Sequence, residues 1–292
     1  LNKINMYLLI TGASGHIGSS LASLLNKKKI KTILVTRSKK KKKILNSKFK
    51  NCKAILNNQI KKKIKISTVI HTASLNDRKT NKNNLAMSKN LTITKNILKN
   101  LDTKNLKKII YLSTAQVYGS NLIKKVDENT ALLPNNNYGI SRYTNEIYLK
   151  NFAKKNKVNL IILRISNIVG EPVIPNKACE RLLPNDLKRQ SILGKVLALR
   201  SSGLQYRNFL SMHSTINIIL NLIKKNTKGI QIFNLGGVDI QIIEFVKSFV
   251  KIYSKIKKKK LKLDILSDDP KQSQYLKFDY KKIMKFLKIR KK

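Results

Sequence analysis

The chain of 292 residues has no tryptophan, few prolines, only two cysteines and no long uncharged apolar run. Cys52 and Cys179 cannot form a disulfide framework, and with three scattered histidines they give no metal-binding pattern. The apolar stretch "LIILRISNIVG" (160–170) is interrupted by Arg164, so we expect no membrane span. The first residues lack a basic segment followed by an apolar one, and Met6 directly precedes the first apolar run. We therefore expect a cytoplasmic protein without a resident metal.

Acidic residues are also scarce, since 14 Asp and Glu stand against 62 Lys and Arg, a formal net charge of +48. Basic side chains neutralise nucleic-acid phosphates, so this charge raises the possibility of a nucleic-acid partner. The charges are however spread along the whole chain, and 53 of the 62 are lysine. Lysine, asparagine and isoleucine share AT-rich codons, and coding bias is a sufficient explanation. We expect no specific nucleic acid, and we treat each arginine and each acid as informative.

Short apolar runs alternate with helical patterns in the first 170 residues. The apolar runs lie at residues 6–10, 31–35, 53–56, 67–74, 107–114 and 159–166. Helical patterns follow the first run and occupy 84–101. Continuous apolar runs of this length are typical of parallel strands covered on both faces. Their alternation with helices predicts an α/β fold, a Rossmann-type doubly wound parallel sheet.

After residue 170 the alternation loosens, and residues 171–186 hold three of the five prolines. A later run at 233–237 is typical of a returning strand, and 240–255 has helical spacing. These patterns predict a dinucleotide-binding domain over 1–170, rejoined by about 206–237. The remaining segments, 171–205 and 238–292, would form a smaller C-terminal substrate-binding lobe.

The segment "YLLITGASGHIG" (7–18) places three glycines between a predicted strand and a predicted helix. Glycines at such a turn let a pyrophosphate approach the backbone at the positive end of the helix. Their spacing, G-x-x-G-x-x-G, differs from the commoner G-x-G-x-x-G. The strand before and the helix after nevertheless predict a dinucleotide site. The predicted cofactor-binding residues of the loop are Gly12, Ser14, Gly15, His16, Ile17 and Gly18.

Further segments follow the glycine loop in a recognisable order. They are "HTAS" (71–74), "NLTITKNIL" (90–98), "YLSTAQVYG" (111–119), "LPNNNYGISRYTNE" (133–146), "LRISNIVG" (163–170), "GLQYRNFLSMHS" (203–214) and "FNLGG" (233–237). Together they resemble the extended short-chain dehydrogenase/reductase family, in particular its NAD-dependent epimerases and dehydratases that act on nucleotide sugars. The resemblance covers about residues 6–245.

The resemblance implies a catalytic set of four residues. Thr114 would hydrogen-bond the reacting sugar oxygen, and Tyr138 would be the general acid/base. Asn90 matches the Asn that supports this active site, and Arg142 stands where the family has a Lys. Ala73 would line the cofactor, which Tyr138 and Arg142 would also contact.

Arg142 is the main departure from the family pattern. A phenol has an ordinary pKa near 10, so a Tyr base at neutral pH needs a nearby cation. Position 142 shares a helix face with Tyr138. Arginine keeps the charge, but its planar fork is larger and differently aimed than an ammonium. An Arg in a lysine-rich chain favours a modified active enzyme; the alternative is a non-catalytic dinucleotide-binding regulator or scaffold of the same fold.

The resemblance also bears on the substrate and the reaction. Asn167 and Arg207 would hold the diphosphate of a nucleotide sugar. The 4,6-dehydratases of the family have Asp-Glu after the catalytic Thr, whereas this chain has Ala115 and Gln116, which disfavours dehydration. Epimerisation at C4 and reduction of a keto-sugar nucleotide both remain. The family usually has Asp where Asn208 stands.

The end of the second predicted strand bears on cofactor choice. An acid about 20 residues beyond the glycine loop selects NAD, whereas an Arg accommodates the 2′-phosphate of NADP. Arg37, Ser38 and Lys39 follow this strand, with no acid. We therefore expect NADP to be favoured over NAD. We also expect a homodimer.

Overall fold

A computed structural model describes the chain over residues 6–82, 84–194, 196–258, 260–266 and 275–289. The strands in these segments are β1 (Tyr7–Thr11), β2 (Thr32–Thr36), β3 (Cys52–Leu56), β4 (Ile66–His71), β5 (Lys108–Thr114), β6 (Lys124–Val126), β7 (Asn159–Ile165), β8 (Asn167–Val169), β9 (Leu197–Leu199), β10 (Tyr206–Ser211), β11 (Ile230–Leu235), β12 (Val238–Gln241), β13 (Leu263–Ile265) and β14 (Leu276–Phe278). The helices are α1 (His16–Lys27), α2 (Lys39–Lys48), α3 (Asp77–Thr80), α4 (Asn84–Lys99), α5 (Asn137–Asn156), α6 (Leu183–Ile192), α7 (Met212–Lys224), α8 (Ile242–Lys257) and α9 (Lys281–Leu287). Short 3₁₀ turns follow β3 and β5.

Seven parallel strands form the central sheet, in the order β3-β2-β1-β4-β5-β7-β11. This order confirms the expected doubly wound α/β fold. The chain winds outward from β1 in one direction and from β4 in the other. The loops that follow β1 and β4 therefore meet at the switch point, where ligands bind in such sheets.

Both faces of the central sheet are covered by apolar layers. Successive strand side chains point to opposite faces, so Leu9 and Ile10, both fully buried, belong to different layers. Helix α1 lies beside α7, whereas α4 lies beside α5. Burial on both faces explains why the strands read as continuous apolar runs.

The segments after β7 build smaller structures at one end of the sheet. Strand β10 pairs with β8 and β12, and β9 pairs with β13, while β14 pairs with β6, a strand that precedes β7 in the chain. A separate apolar cluster around Leu187, Leu197 and Val246 joins α6, β9 and α8. Helix α9 instead returns to the large sheet, where Phe286 lies 5.0 Å from the Phe233 ring centre. The exact division into domain and lobe stays a prediction.

The described segments contain no helix that is both long and apolar enough to cross a membrane. They also bring together no group of three or more His, Cys, Asp or Glu side chains suited to a metal ion. Cys52 and Cys179 are both free and buried.

Candidate active site

The glycine loop lies against the loop that follows β4. Gly12 has a φ of +66°, and a Cβ there would lie 2.8 Å from the Ala73 backbone. A Cβ on Gly18 would lie 2.4 Å from the Gly12 carbonyl oxygen, so Gly18 lets α1 pack closely on the loop. Helix α1 begins after Gly15 without a side-chain cap. Its first amides have no intrahelical acceptors, and this arrangement suits a pyrophosphate.

A cavity of about 380 Å³ opens beside the glycine loop. Of the predicted cofactor residues, it is lined by Gly12, Ser14, Gly15, Arg37 and Ala73. Two further cations, Lys41 and Lys79, also line the cavity. The sequence did not predict them as cofactor-binding residues, because lysine is too common in this chain to be informative at any one position. No carboxylate belongs to the described lining.

Three predicted cofactor residues of the loop do not line this cavity with their side chains. His16 donates from Nε2 to the Gly170 carbonyl oxygen at 2.6 Å, and burial lowers the pKa of its ring. Ile17 packs against the core, and Gly18 serves the close packing described above. These residues can contribute only backbone amides at the start of α1.

Helix α5 holds Tyr138 in its first turn, and two asparagines fix that turn. The Asn136 side chain caps the helix by accepting from the Gly139 amide at 2.8 Å. The Asn81 side chain accepts from the Tyr138 amide at 2.8 Å. Tyr138 is therefore anchored through its backbone, and its ring is half-buried. Tyr138 is not among the residues that line either of the two cavities described here.

Arg142 lies one turn further along α5 and contacts the Tyr138 hydroxyl. Its Nη2 donates to the Tyr138 Oη at 3.1 Å, and its Nη1 donates to the Tyr111 Oη at 3.4 Å. The side chain is 7% exposed, and its Nε has no hydrogen-bond partner among the residues that the structure describes. Burial lowers the pKa of Arg142, but the adjoining phenols outweigh this effect and raise it overall. The site therefore contains a permanent cation against the Tyr138 oxygen.

Thr114 ends β5 and opens onto a second cavity of about 460 Å³. Its Oγ1 accepts from the Gln116 amide at 3.3 Å, so its hydroxyl proton can still be donated. The same cavity is lined by Asn167 and by the exposed Arg207. Asn167 uses one amide proton on the Asn208 carbonyl oxygen at 3.0 Å. The structure thus brings three predicted residues from β5, β8 and β10 to one cavity.

Asn90 is buried and its side chain hydrogen-bonds both the segment after β4 and helix α5. Its Oδ1 accepts from the Leu75 amide at 2.7 Å, after β4. Its Nδ2 donates to the Ser141 Oγ at 3.0 Å, and that hydroxyl donates to the Tyr138 carbonyl oxygen at 2.8 Å. Asn90 is therefore placed to support the start of α5.

Arg164, which interrupts the apolar run of β7, is buried. It is neither a surface charge nor a phosphate ligand, because it is buried and pairs with Glu146 at 2.9 Å. Ser113 donates to the same carboxylate at 2.6 Å. The pair ties α5 to β5 and β7 behind Thr114. The signal in the sequence was the rarity of both residue types, and their pairing could not be read from it.

Asn208 is buried and fits its surroundings better than the family's usual Asp would. Its side-chain amide donates to the Asp239 carboxylate at 2.8 Å, and its Oδ1 accepts from the Gly237 amide at 2.8 Å. An acid at this position would face the Asp239 carboxylate. His213 is exposed and contacts Asn217 at 2.8 Å, in keeping with a structural role.

A glycine loop on the N-terminus of α1 at the sheet's switch point, with a Tyr–cation pair on α5, defines a dinucleotide-binding protein of the short-chain dehydrogenase/reductase type. The chain belongs to the NAD dependent epimerase/dehydratase family, which it matches over residues 8–236. The resemblance drawn from the motifs is thereby confirmed.

Curated relatives include both dehydratases and an epimerase. Human dTDP-D-glucose 4,6-dehydratase is 29% identical over 150 residues, which cover 50% of this chain and 41% of that protein. The Dictyostelium discoideum dTDP-D-glucose 4,6-dehydratase is 28% identical, over 86% of this chain and 64% of its own length. A putative UDP-glucose 4-epimerase of Methanocaldococcus jannaschii is 28% identical over 78% and 76%. The match thus spans less than two thirds of the two dehydratases.

Solved structures confirm the fold over nearly the whole chain. The UDP-N-acetylglucosamine 4-epimerase of Methanobrevibacter ruminantium, in complex with UDP-N-acetylmuramic acid, superposes with a TM-score of 0.81 at 19% identity, over 98% of this chain and 93% of that one. The UDP-glucose 4-epimerase of Bifidobacterium longum, in complex with NAD⁺ and UDP, gives 0.77 at 22% identity, over 98% and 94%.

Proposed function

We propose that this protein transfers a hydride between a nicotinamide dinucleotide and the sugar ring of a nucleotide sugar, as an epimerase or a keto-sugar reductase. The observation that carries the proposal is the Tyr138 hydroxyl held 3.1 Å from a buried cation. Asn135 and Asn136 line the Thr114 cavity, and helix α5, which bears Tyr138 and Arg142, begins at the next residue. We infer that the Tyr138 hydroxyl acts on a sugar bound in this cavity.

In this proposal Tyr138 takes the proton of the reacting sugar hydroxyl. The permanent charge of Arg142 stabilises the phenolate form of Tyr138, which accepts this proton and becomes neutral. Thr114 donates its free hydroxyl proton to the sugar oxygen. When bound, a dinucleotide would supply the hydride acceptor for the sugar carbon and would return the hydride, in an epimerase to the opposite face of the same ring. Tyr138 would return the proton to the sugar oxygen in that second half of the reaction.

The residues at the switch point fit such a cofactor. The Gly12 turn leaves room for a pyrophosphate at the uncapped start of α1. Arg142 Nε is a buried donor without a partner and is suited to a ribose hydroxyl. Several related structures contain NAD, including the Bifidobacterium longum epimerase.

The cavity lining favours NADP over NAD within this proposal. Arg37, Lys41 and Lys79 bring three positive charges to the cavity, and its described lining has no carboxylate for a ribose diol. The Ser38 Oγ caps α2 by accepting from the Lys41 amide, so this helix also begins at the cavity. A 2′-phosphate would meet positive charge from all of these groups.

The second cavity supports a nucleoside diphosphate as the non-reacting part of the substrate. Arg207 offers a bidentate contact for phosphate, and Asn167 retains a free amide proton beside it. Dehydration is disfavoured, because elimination needs acid/base carboxylates beside Thr114. The described lining of this cavity has Ala115 and Gln116 there and no carboxylate.

The decisive experiment incubates the purified protein with a panel of nucleotide sugars and each dinucleotide. Cofactor absorbance reports hydride transfer, and sugar analysis identifies the product. Interconverted sugars with a tightly held dinucleotide indicate an epimerase, whereas stoichiometric cofactor consumption indicates a reductase. Tyr138→Phe should abolish turnover, while Tyr143→Phe, a half-buried tyrosine of the same helix, should not. Bound dinucleotide without turnover on any sugar would overturn the proposal in favour of a non-catalytic regulator or scaffold.

A further inference from the structure

The Arg142 guanidinium is a buried cation without an acidic partner among the described residues. None of the ion pairs found in those residues involves it, although its side chain is only 7% exposed. Its two recorded hydrogen bonds both go to phenols, those of Tyr138 and Tyr111. Its central carbon lies 5.1 Å from the Tyr138 ring centre and 5.8 Å from that of Tyr111.

A guanidinium at this position has an orientation problem that an ammonium does not have. A lysine presents one nitrogen whose three donors rotate freely about its end. An arginine presents a planar fork, and only one of its arms can meet the Tyr138 oxygen at a time. Rotation of the fork would move the charge and the donor away from Tyr138. A second fixed acceptor is therefore needed to hold the plane.

Tyr111 provides a rigid acceptor at the right place. It lies in β5, an inner strand of the sheet between β4 and β7, and is 1% exposed. Its ring stacks on His71 with centroids 5.6 Å apart. His71 is itself held on both sides, by Thr11 at 2.7 Å and Thr94 at 2.9 Å. The Tyr111 hydroxyl is thus fixed by the sheet and not by the mobile end of another side chain.

Neither Tyr111 nor His71 carries a negative charge that would neutralise Arg142. Burial raises the pKa of Tyr111 to about 12, although the adjoining Arg142 charge acts in the opposite direction. Burial, reinforced by the same charge, lowers the pKa of His71 to about 3. Both side chains are therefore uncharged at neutral pH. The full positive charge remains available to Tyr138.

We propose that Tyr111 is a positioning residue, whose hydroxyl holds one arm of the Arg142 guanidinium so that the other arm meets Tyr138. The inference rests on the proposed role of Tyr138 and Arg142. It explains how an arginine functions where the family has a lysine: the strand beneath α5 supplies the second acceptor that a planar fork requires.

The first test observes the guanidinium directly and needs no activity. The chain has only nine arginines, so nitrogen-15 arginine labelling gives a simple NMR spectrum. Arg142→Lys identifies the Arg142 signals by their loss. We expect separate, slowly exchanging Nη signals for Arg142 in the wild type, because both arms are held. In Tyr111→Phe these signals should merge as rotation about the Nε–Cζ bond becomes fast. Separate signals that persist in Tyr111→Phe would overturn the inference.

The second test is a double-mutant cycle on turnover. Tyr111→Phe alone should lower kcat about tenfold, the effect of one charge-assisted hydrogen bond, with KM nearly unchanged. In the Arg142→Lys background the same change should cost less than about twofold, because an ammonium needs no second acceptor. An equal loss in both backgrounds would contradict the inference.

Tyr118 supplies a matched control. It is also fully buried, and its hydroxyl accepts from the Arg164 Nη1 at 3.1 Å, away from Tyr138. Tyr118→Phe should leave the Arg142 signals in place. If Tyr111→Phe does not fold, the wild-type spectrum decides, because merged Arg142 signals there would refute a held guanidinium. If no sugar is turned over, the NMR result still tests the positioning separately from the proposed reaction.

Discussion

The buried pair of Arg164 and Glu146 gives the clearest prediction for stability. Their side chains are 3% and 0% exposed, and the carboxylate accepts from two guanidinium nitrogens at 2.9 and 3.3 Å. Glu146→Gln removes the negative charge but keeps the volume of the side chain. Arg164 then remains buried as an unpaired cation. Breaking such a pair on one side costs about 3–5 kcal/mol, and the retained amide oxygen favours the lower end.

The measurement is urea unfolding of the wild type and Glu146→Gln, with a shared denaturant slope. A loss of about 3 kcal/mol corresponds to a fall in Tm of roughly 5 °C for a chain of 292 residues. The matched control is Glu244→Gln, because the exposed pair of Glu244 with Lys247 should contribute less than about 1 kcal/mol. Replacing both buried partners, as Glu146→Leu with Arg164→Met, should recover much of the loss. A change in the Glu146→Gln protein as small as in the control would refute this account of the pair.

Three further perturbations test the cavities and the buried histidine. Arg207→Ala should weaken UDP binding about tenfold to a hundredfold in calorimetry, at low and high salt alike. The control Arg200→Ala, which is also exposed but lies outside the cavity lining, should remove only a weak, salt-sensitive contribution to UDP binding. A loss in Arg207→Ala that vanishes at high salt would exclude anchoring of the diphosphate by Arg207. Arg37→Ala should weaken NADP(H) binding by a similar factor and NAD(H) binding little. The control Lys40→Ala, on the exposed face of α2, should leave the binding of both cofactors unchanged. Tighter binding of NAD(H) than of NADP(H) by the wild type would contradict the preference for NADP. Because the pKa of His71 is lowered to about 3 in the fold, the unfolded chain alone takes up this proton below about pH 6.5, and stability falls as pH drops from there towards 3. Wild type should thus lose about 2 kcal/mol more than His71→Gln between pH 7 and 5 in urea unfolding, and equal losses would contradict the assignment.

The fold class and the strands of the first 170 residues that belong to the large sheet could be predicted from the sequence, because burial on both faces leaves continuous apolar runs. The predicted strands at 31–35 and 107–114 differ from β2 and β5 by one residue at most. The placement of α9 could not be predicted. Ile283 and Phe286 of α9 pack into the core cluster that contains Phe233, and Phe233 lies far from α9 in the chain. Local sequence patterns do not contain such contacts.

The motifs that predict the site each lie on a single helix, strand or loop. The contacts that site residues make with side chains of other elements could not be predicted from these motifs. The contact of Tyr138 with Arg142 follows from helical spacing alone. The contact of Arg142 with Tyr111 depends on how α5 packs over β5, which local patterns do not contain. Lys41 and Lys79 could not be predicted as cavity residues, because a lysine at any one position carries little information in so lysine-rich a chain.

In the proposed mechanism the buried cation of Arg142 activates Tyr138 to take a proton from the reacting hydroxyl of a nucleotide sugar. This role is tested by comparing kcat for wild type, Arg142→Met and Arg142→Lys on the nucleotide sugar that the panel identifies. We expect Arg142→Met to remain folded but to lose about a hundredfold to ten-thousandfold in kcat, the usual contribution of general acid/base catalysis. Arg142→Lys should retain substantial activity or exceed the wild type. Equal turnover by Arg142→Met and wild type would contradict the claim, since some other group would then activate Tyr138.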